Sequence, residues 1–138
     1  MHAGNRGRIV DKVVLDASAM LATLLDEPGG DEVEKLLLDP SKSALISAVN
    51  WSEVFDRLLR DGMTEDRVDM LLGGLNVEVC DFTREQAKIA AGYRIAAPWL
   101  SLGDRGCLAL AATMQASAWT TDKVWVKANT GVKVVVVR

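Results

Sequence analysis

The sequence predicts a single α/β domain, built on a parallel β-sheet with helices on both faces. Strand-like and helix-like segments alternate from one end to the other, the pattern of a parallel sheet joined by crossover helices. The strand-like segments, such as Val13–Leu15 and the Val132–Val137 run broken only by Lys133, lack polar alternation. Strands covered on both faces have that character. A chain of 138 residues, 49% apolar and 25% charged, has the length and composition of one globular domain with a substantial core. The domain is taken as residues 1–138, with 1–8 as a flexible lead.

Val13-Val14-Leu15 ends abruptly in Asp16, which places a carboxylate at the carboxyl end of the opening strand. In open α/β sheets, ligands bind in the crevice outside those strand ends. Asp16 and Ser18 are also both favoured N-caps for the helix that runs to Leu25. Glu27-Pro28-Gly29-Gly30 breaks that helix, and a second helix over Asp31–Leu38 puts Val33, Leu36 and Leu37 on one face. After the strand Ala44–Ile46, Ser47 caps a long helix from Ala48 to Arg60. Its spacing turns Trp51, Val54, Phe55, Leu58 and Leu59 to the core, and Asn50, Glu53 and Arg57 to another side. Glu53 reads either as a site residue or as half of an i,i+4 surface pair with Arg57.

Thr64-Glu65-Asp66 opens a helix facing inward through Val68, Leu71, Leu72 and Leu75. Val77–Cys80 is a strand, and the helix from Thr83 to Ala97 starts with near capping-box spacing between Thr83 and Gln86. The helix from Ser101 to Met114 consists almost wholly of small or apolar residues, which places it deep against the sheet. Asp104 in its first turn pairs with Ser101 as a capping box and suits the helix dipole; the same placement holds a carboxylate rigidly. Ala118 to Thr121 is a strand ending in Asp122, an N-cap candidate for a short helical piece containing Val124, Trp125 and Val126.

Several chemistries are disfavoured. The only histidine is His2, which argues against imidazole catalysis and a zinc site. Cys80 and Cys107 lack metal-like spacing and read as buried thiols. No apolar run approaches the roughly 20 residues of a membrane helix, and the start lacks a signal-peptide core; a cytoplasmic protein without a membrane partner is expected. A net charge of -3 argues against general attraction to nucleic acid. Arg6, Arg8 and Lys12 at one end, and Lys123, Lys127, Lys133 and Arg138 at the other, can still make a local basic rim.

Carboxylates and hydroxyls therefore carry any chemistry. Asp16 and Asp122 end strands, while Glu53 and Asp104 lie on helices that pack beside those strands, so one pocket can gather all four. Clustered ionised carboxylates repel one another and call for a cation. Oxygen-only donors select Mg²⁺ or Mn²⁺, ions suited to activating water for in-line attack on a phosphodiester.

Leu15-Asp16-Ala17-Ser18, Asn50-Trp51-Ser52-Glu53-Val54, Leu102-Gly103-Asp104-Arg105-Gly106-Cys107-Leu108 and Thr120-Thr121-Asp122 occur in this order within residues 12 to 137. That series resembles the PIN-domain ribonucleases, and among them the VapC toxins of bacterial toxin–antitoxin pairs. The resemblance implies a three-layer fold around a five-stranded parallel sheet in the order 3-2-1-4-5. It implies that Asp16, Glu53, Asp104 and Asp122 are catalytic, metal-binding acids for Mg²⁺ or Mn²⁺. Ser18 and Thr120 match the supporting hydroxyls, with Thr121 competing for the second place. Arg105, Lys123 and Lys127, neighbours of two of the acids, are candidate contacts to substrate phosphates. The resemblance further implies metal-dependent endoribonuclease activity on RNA, a homodimer and a VapB-type antitoxin. Apolar residues on the Val33–Leu37 and Val54–Leu59 helices are candidates for the dimer surface.

The alternative is a catalytically inactive PIN-fold binding module. A response-regulator receiver domain fits poorly, because its acidic pair before the first helix, its phosphoacceptor Asp and a Lys ending the fifth strand have no good matches in a sequence that ends in Val137-Arg138. A haloacid-dehalogenase-like phosphatase needs a general acid where Ser18 stands.

Overall fold

The computed structural model describes residues 10–138; His2, Arg6, Arg8 and the lead expected over residues 1–8 lie outside the described residues. Five strands, β1 (Asp11–Leu15), β2 (Lys42–Ser47), β3 (Val77–Cys80), β4 (Ser117–Thr120) and β5 (Val134–Val136), form one sheet. All pairings are parallel and the order is β3-β2-β1-β4-β5, as expected. Strand order reverses between β1 and β4, which pair in register from Val13 with Ser117 to Leu15 with Trp119. Their carboxyl ends therefore open onto one crevice.

Six helices cover the faces: α1 (Ala17–Leu24), α2 (Gly30–Leu38), α3 (Ala48–Arg60), α4 (Glu65–Gly73), α5 (Arg84–Ala96) and α6 (Leu102–Met114). The period-two alternation of the strands divides the core in two. Val13, Leu15, Ala44 and Ile46 meet Met20, Val33, Leu36, Val54, Leu58 and Val68 from α1 to α4 on one face. Val14, Leu45 and Ala118 meet Cys107, Leu108, Leu110 and Ala111 of α6 on the other. Gly103 and every residue from Gly106 to Ala111 are buried, which bears out the depth read from the small-residue composition of α6. A 3-10 turn over Lys123–Lys127 follows β4 and drops Trp125 into this second core. The corner between α1 and α2 closes on glycine: Gly29 has a φ of 92°, and a Cβ on Gly30 would collide with the Ala22 carbonyl.

Some expectations need correction. Leu59 and Leu71 are exposed rather than inward-facing, because the i,i+4 pairs Val54 with Leu58 and Val68 with Leu72 already fill the buried stripes. Cys107 is buried, but Cys80 is only half-buried, at the end of the edge strand β3. Thr83 accepts the Gln86 N–H at 3.1 Å, yet Gln86 returns nothing: its Oε1 is buried without a partner among the described residues, so that capping box is half formed. Among the described residues no helix is long and apolar enough to cross a membrane.

Candidate active site

β1 delivers Asp16 to the crossover, where it is 4% exposed. Its Oδ1 accepts the Ala19 N–H at 2.8 Å and the Ser18 hydroxyl at 2.7 Å. Oδ2 accepts the Thr120 hydroxyl at 2.6 Å. Its backbone N–H donates to the Trp119 carbonyl at 3.0 Å. Asp16 is thus the N-cap of α1 and at the same time the carboxylate between β1 and β4.

Both hydroxyls are themselves anchored. Ser18 Oγ accepts the Thr121 N–H at 3.0 Å and lies 3.3 Å from Thr120 Oγ1, which accepts the Asp122 N–H at 3.1 Å. Of the two threonines, it is the fully buried Thr120 that turns its hydroxyl to Asp16; Thr121 contributes its backbone N–H to Ser18.

Burial pushes the Asp16 carboxyl up from its ordinary 3.8 to about 6. The hydrogen bonds from Thr120, Ala19 and Ser18 oppose that rise, and the negative charge of Asp104 adds to it. Cys107, fully buried, has its thiol driven well up by burial and then by the charges of Asp16, Asp104 and Glu53. Those three acids therefore share one neighbourhood above the α6 backbone.

Glu53 does not pair with Arg57, which turns instead to Asp61 with Nε 3.2 Å from Oδ2. Its Oε1 accepts Asn50 Nδ2 at 2.8 Å, and the same amide nitrogen donates to the Gly103 carbonyl at 3.0 Å. Asn50 is 2% exposed although its spacing groups it with exposed Glu53, because α6 packs against that side of α3. Sequence reasoning misses it as a site residue; the available signal is an amide one helical turn before the acid.

Asp104 completes the capping box on α6: Ser101 N–H donates to its Oδ2 at 3.0 Å, and Ser101 Oγ accepts the Asp104 N–H at 3.1 Å. Asp122 caps the 3-10 turn through Oδ1, which accepts the Val124 N–H at 3.0 Å, and its side chain is exposed. Each of these acids has one oxygen held by a protein donor. Glu53 Oε2, Asp104 Oδ1 and Asp122 Oδ2 accept no protein hydrogen bond among the described residues. Among the described residues no three His, Cys, Asp or Glu side chains stand close enough to enclose an ion.

The basic candidates separate into two kinds. Arg105 spends its guanidinium on the protein, donating to the Leu100 carbonyl at 3.3 Å and the Ala90 carbonyl at 3.2 Å, which ties α6 to α5. Lys123 and Lys127 are exposed on the turn that follows Asp122.

The family model of the PIN domain matches residues 13–130. A search among curated proteins finds no match. Several solved structures share the fold. A toxin–antitoxin complex from Klebsiella pneumoniae is 18% identical, with a TM-score of 0.70 over 89% of this chain and 95% of that one. A VapBC complex from Rickettsia felis, bound to a DNA fragment from their promoter, is 12% identical, with a TM-score of 0.71 over 92% and 99%. A sarcin-ricin loop cleaving VapC toxin from Mycobacterium tuberculosis is 16% identical, with a TM-score of 0.66 over 85% and 95%. The family match spans β1 through the turn after β4, and its residues include Asp16, Glu53, Asp104 and Asp122. The chain belongs to the PIN domain family.

Proposed function

We propose that this chain is a metal-dependent endoribonuclease and the toxin half of a VapBC-type pair. The observation that carries the reading is Asp16, an acid buried at the β1–β4 crossover at the cost of a raised pKa, with Glu53 and Asp104 in the same neighbourhood. Fold stability alone gives no reason to concentrate negative charge there. The Mycobacterium tuberculosis neighbour cleaves the sarcin-ricin loop, and the Klebsiella and Rickettsia neighbours are toxin–antitoxin complexes. These support an RNA substrate and a VapB-type partner for this chain.

The donor set fits a hard divalent cation. It is all oxygen, and in Glu53, Asp104 and Asp122 the oxygen opposite the anchored one has no protein donor. Asp16, Glu53, Asp104 and Asp122 would hold it. When bound, Mg²⁺ or Mn²⁺ would activate water and offset charge developing on the scissile phosphate. Ser18 and Thr120 keep Asp16 oriented, since each donates to a different oxygen of it.

Lys123 and Lys127, exposed on the turn after Asp122, are the proposed contacts to substrate phosphates, whereas Arg105 acts through the α5–α6 tie. Lys123→Ala is expected to lower the salt dependence of RNA binding by about one counterion. Arg105→Met is expected to cost about 1–3 kcal/mol of stability and leave that slope unchanged. Filter binding at several salt concentrations, beside urea denaturation, separates the two. Val33, Leu36, Val54 and Leu58 are buried within the chain, so the apolar surface available for a homodimer on α2 and α3 consists of exposed Leu38 and Leu59 with half-buried Leu37, Trp51 and Phe55.

The deciding experiment incubates purified protein with a total bacterial RNA pool in Mg²⁺, in Mn²⁺ and in chelator, alongside Asp104→Asn. Discrete fragments, absent with chelator and with the variant, are the expected result. No cleavage in any metal by folded protein freed of partner would identify a binding module instead.

A further inference from the structure

We infer that Asn50 and Gly103 form a seat for the Glu53 carboxylate, which makes Asn50 a positioning residue of the acidic site; the inference rests on the nuclease reading above. Glu53 is exposed and three rotatable bonds from the α3 backbone, so its carboxylate has no fixed place unless something holds it. Asn50 supplies the hold. One amide nitrogen donates both to Glu53 Oε1 at 2.8 Å and to the Gly103 carbonyl at 3.0 Å. Both partners are pure acceptors, so the amide has only one workable orientation. Its own Oδ1 is left buried with no partner among the described residues.

A buried acceptor without a donor is unfavourable, and an apolar residue of similar shape avoids it. What Asn50 does instead is couple the acid on α3 to the backbone of α6, the helix that carries Asp104.

Gly103 is the other half of the seat. A Cβ there would lie 2.5 Å from Glu53 Oε1 and 2.6 Å from Oε2, and the three nearest atoms all belong to the Glu53 carboxyl group. The carboxylate thus rests directly on the bare Cα of α6, a position that any side chain would deny it. Because the nearest obstacles are the end of a flexible side chain rather than backbone, Gly103→Ala is relieved at these contacts by moving Glu53.

The test compares wild type, Gly103→Ala, Glu53→Ala and the double variant, with Asn50→Leu as an independent break of the seat. Mn²⁺ affinity is read from the free-ion signal in electron paramagnetic resonance, with cleavage and metal-free melting measured in parallel. Gly103→Ala should melt at or above the wild-type temperature, since alanine is the better helix former. It should bind Mn²⁺ at least about tenfold more weakly, as expected when a ligand loses its orienting partner. In the Glu53→Ala background it should have no further effect on Mn²⁺ affinity, and Asn50→Leu should reproduce the loss.

Retention of Mn²⁺ affinity and cleavage within twofold in Gly103→Ala and Asn50→Leu would overturn the seat while leaving the nuclease reading standing. Wild-type protein that neither binds Mn²⁺ nor cuts RNA would instead overturn the nuclease reading. The seat is then decided in metal-free protein by the Asn50 side-chain amide resonances, which shift in Gly103→Ala and Glu53→Ala if the carboxylate sits there and stay in place if it does not.

Discussion

Asp16→Asn is expected to reduce RNA cleavage by at least about a thousandfold, the scale on which a site acting as a unit fails when one member is lost, and yet to stabilise the metal-free protein. The folded chain keeps the Asp16 proton up to about pH 6, whereas the unfolded chain releases it near 3.8. Across that window the folded state binds more protons, so stability falls as pH rises. By pH 7 the ionised, buried carboxylate costs on the order of 3 kcal/mol relative to its protonated form. Asparagine removes that charge and can keep the local bonds: its oxygen still accepts from Ala19 and Ser18, and its amide can donate to Thr120, whose proton then turns toward Ser18 at 3.3 Å. Chemical denaturation with chelator should show a gain of about 1–3 kcal/mol at pH 7 that shrinks toward pH 4. Added Mg²⁺ should stabilise wild type and not the variant, since only a state that binds the ion gains from it. A variant that is less stable than wild type at every pH would mean that the cap, and not the charge, governs Asp16.

Thr120→Val should damage both stability and activity. Its hydroxyl donates to Asp16 and accepts from the Asp122 N–H, and the site is fully buried. Removing it leaves the buried Asp16 Oδ2 and the part-buried Asp122 N–H short of a partner, a loss of about 1–3 kcal/mol. It also deletes the strongest bond opposing the rise in the Asp16 pKa, so the pH window of falling stability extends upward. Cleavage should drop about 10–100-fold, as when an orienting partner of a ligand is removed. Thr120→Ser restores the hydroxyl and should recover most of both. Denaturation at several pH values and single-turnover cleavage are the measurements. Parity of Thr120→Val with wild type in cleavage would exclude an orienting role.

How far the sequence reaches depends on the kind of interaction. β1, α3 and α6 are legible because their signals are local: an uninterrupted apolar run, an i,i+4 stripe, a helix of small residues opened by Ser101 and Asp104. The positions of Asp16, Asp104 and Asp122 at strand ends or helix starts follow from the same local grammar. What escapes it depends on contact between distant segments. Asn50 looks like a surface amide until α6 arrives at its side, and Glu53 looks paired with Arg57 until Asn50 proves the nearer donor. Thr120 and Thr121 are equivalent on paper, and only the pleat, which sends Ala118 and Thr120 to a buried face, separates them. Leu59 and Leu71 satisfy helical spacing yet are exposed, because a stripe can be wider than the partner that covers it.

The bond between Thr120 and Asp16 spans 104 positions of sequence. A ribosome adding about 5–20 residues per second makes Asp16 roughly 5–20 s before it makes Thr120. Throughout that interval the emerging chain already contains Asp16, Glu53 and, later, Asp104, but the first of them lacks both its hydroxyl partner and the Trp119 carbonyl that pins its backbone. A nascent chain, or one cut short before β4, therefore carries these acids without the framework that orders Asp16. On the nuclease reading proposed above, the site is assembled only once β4 is in place.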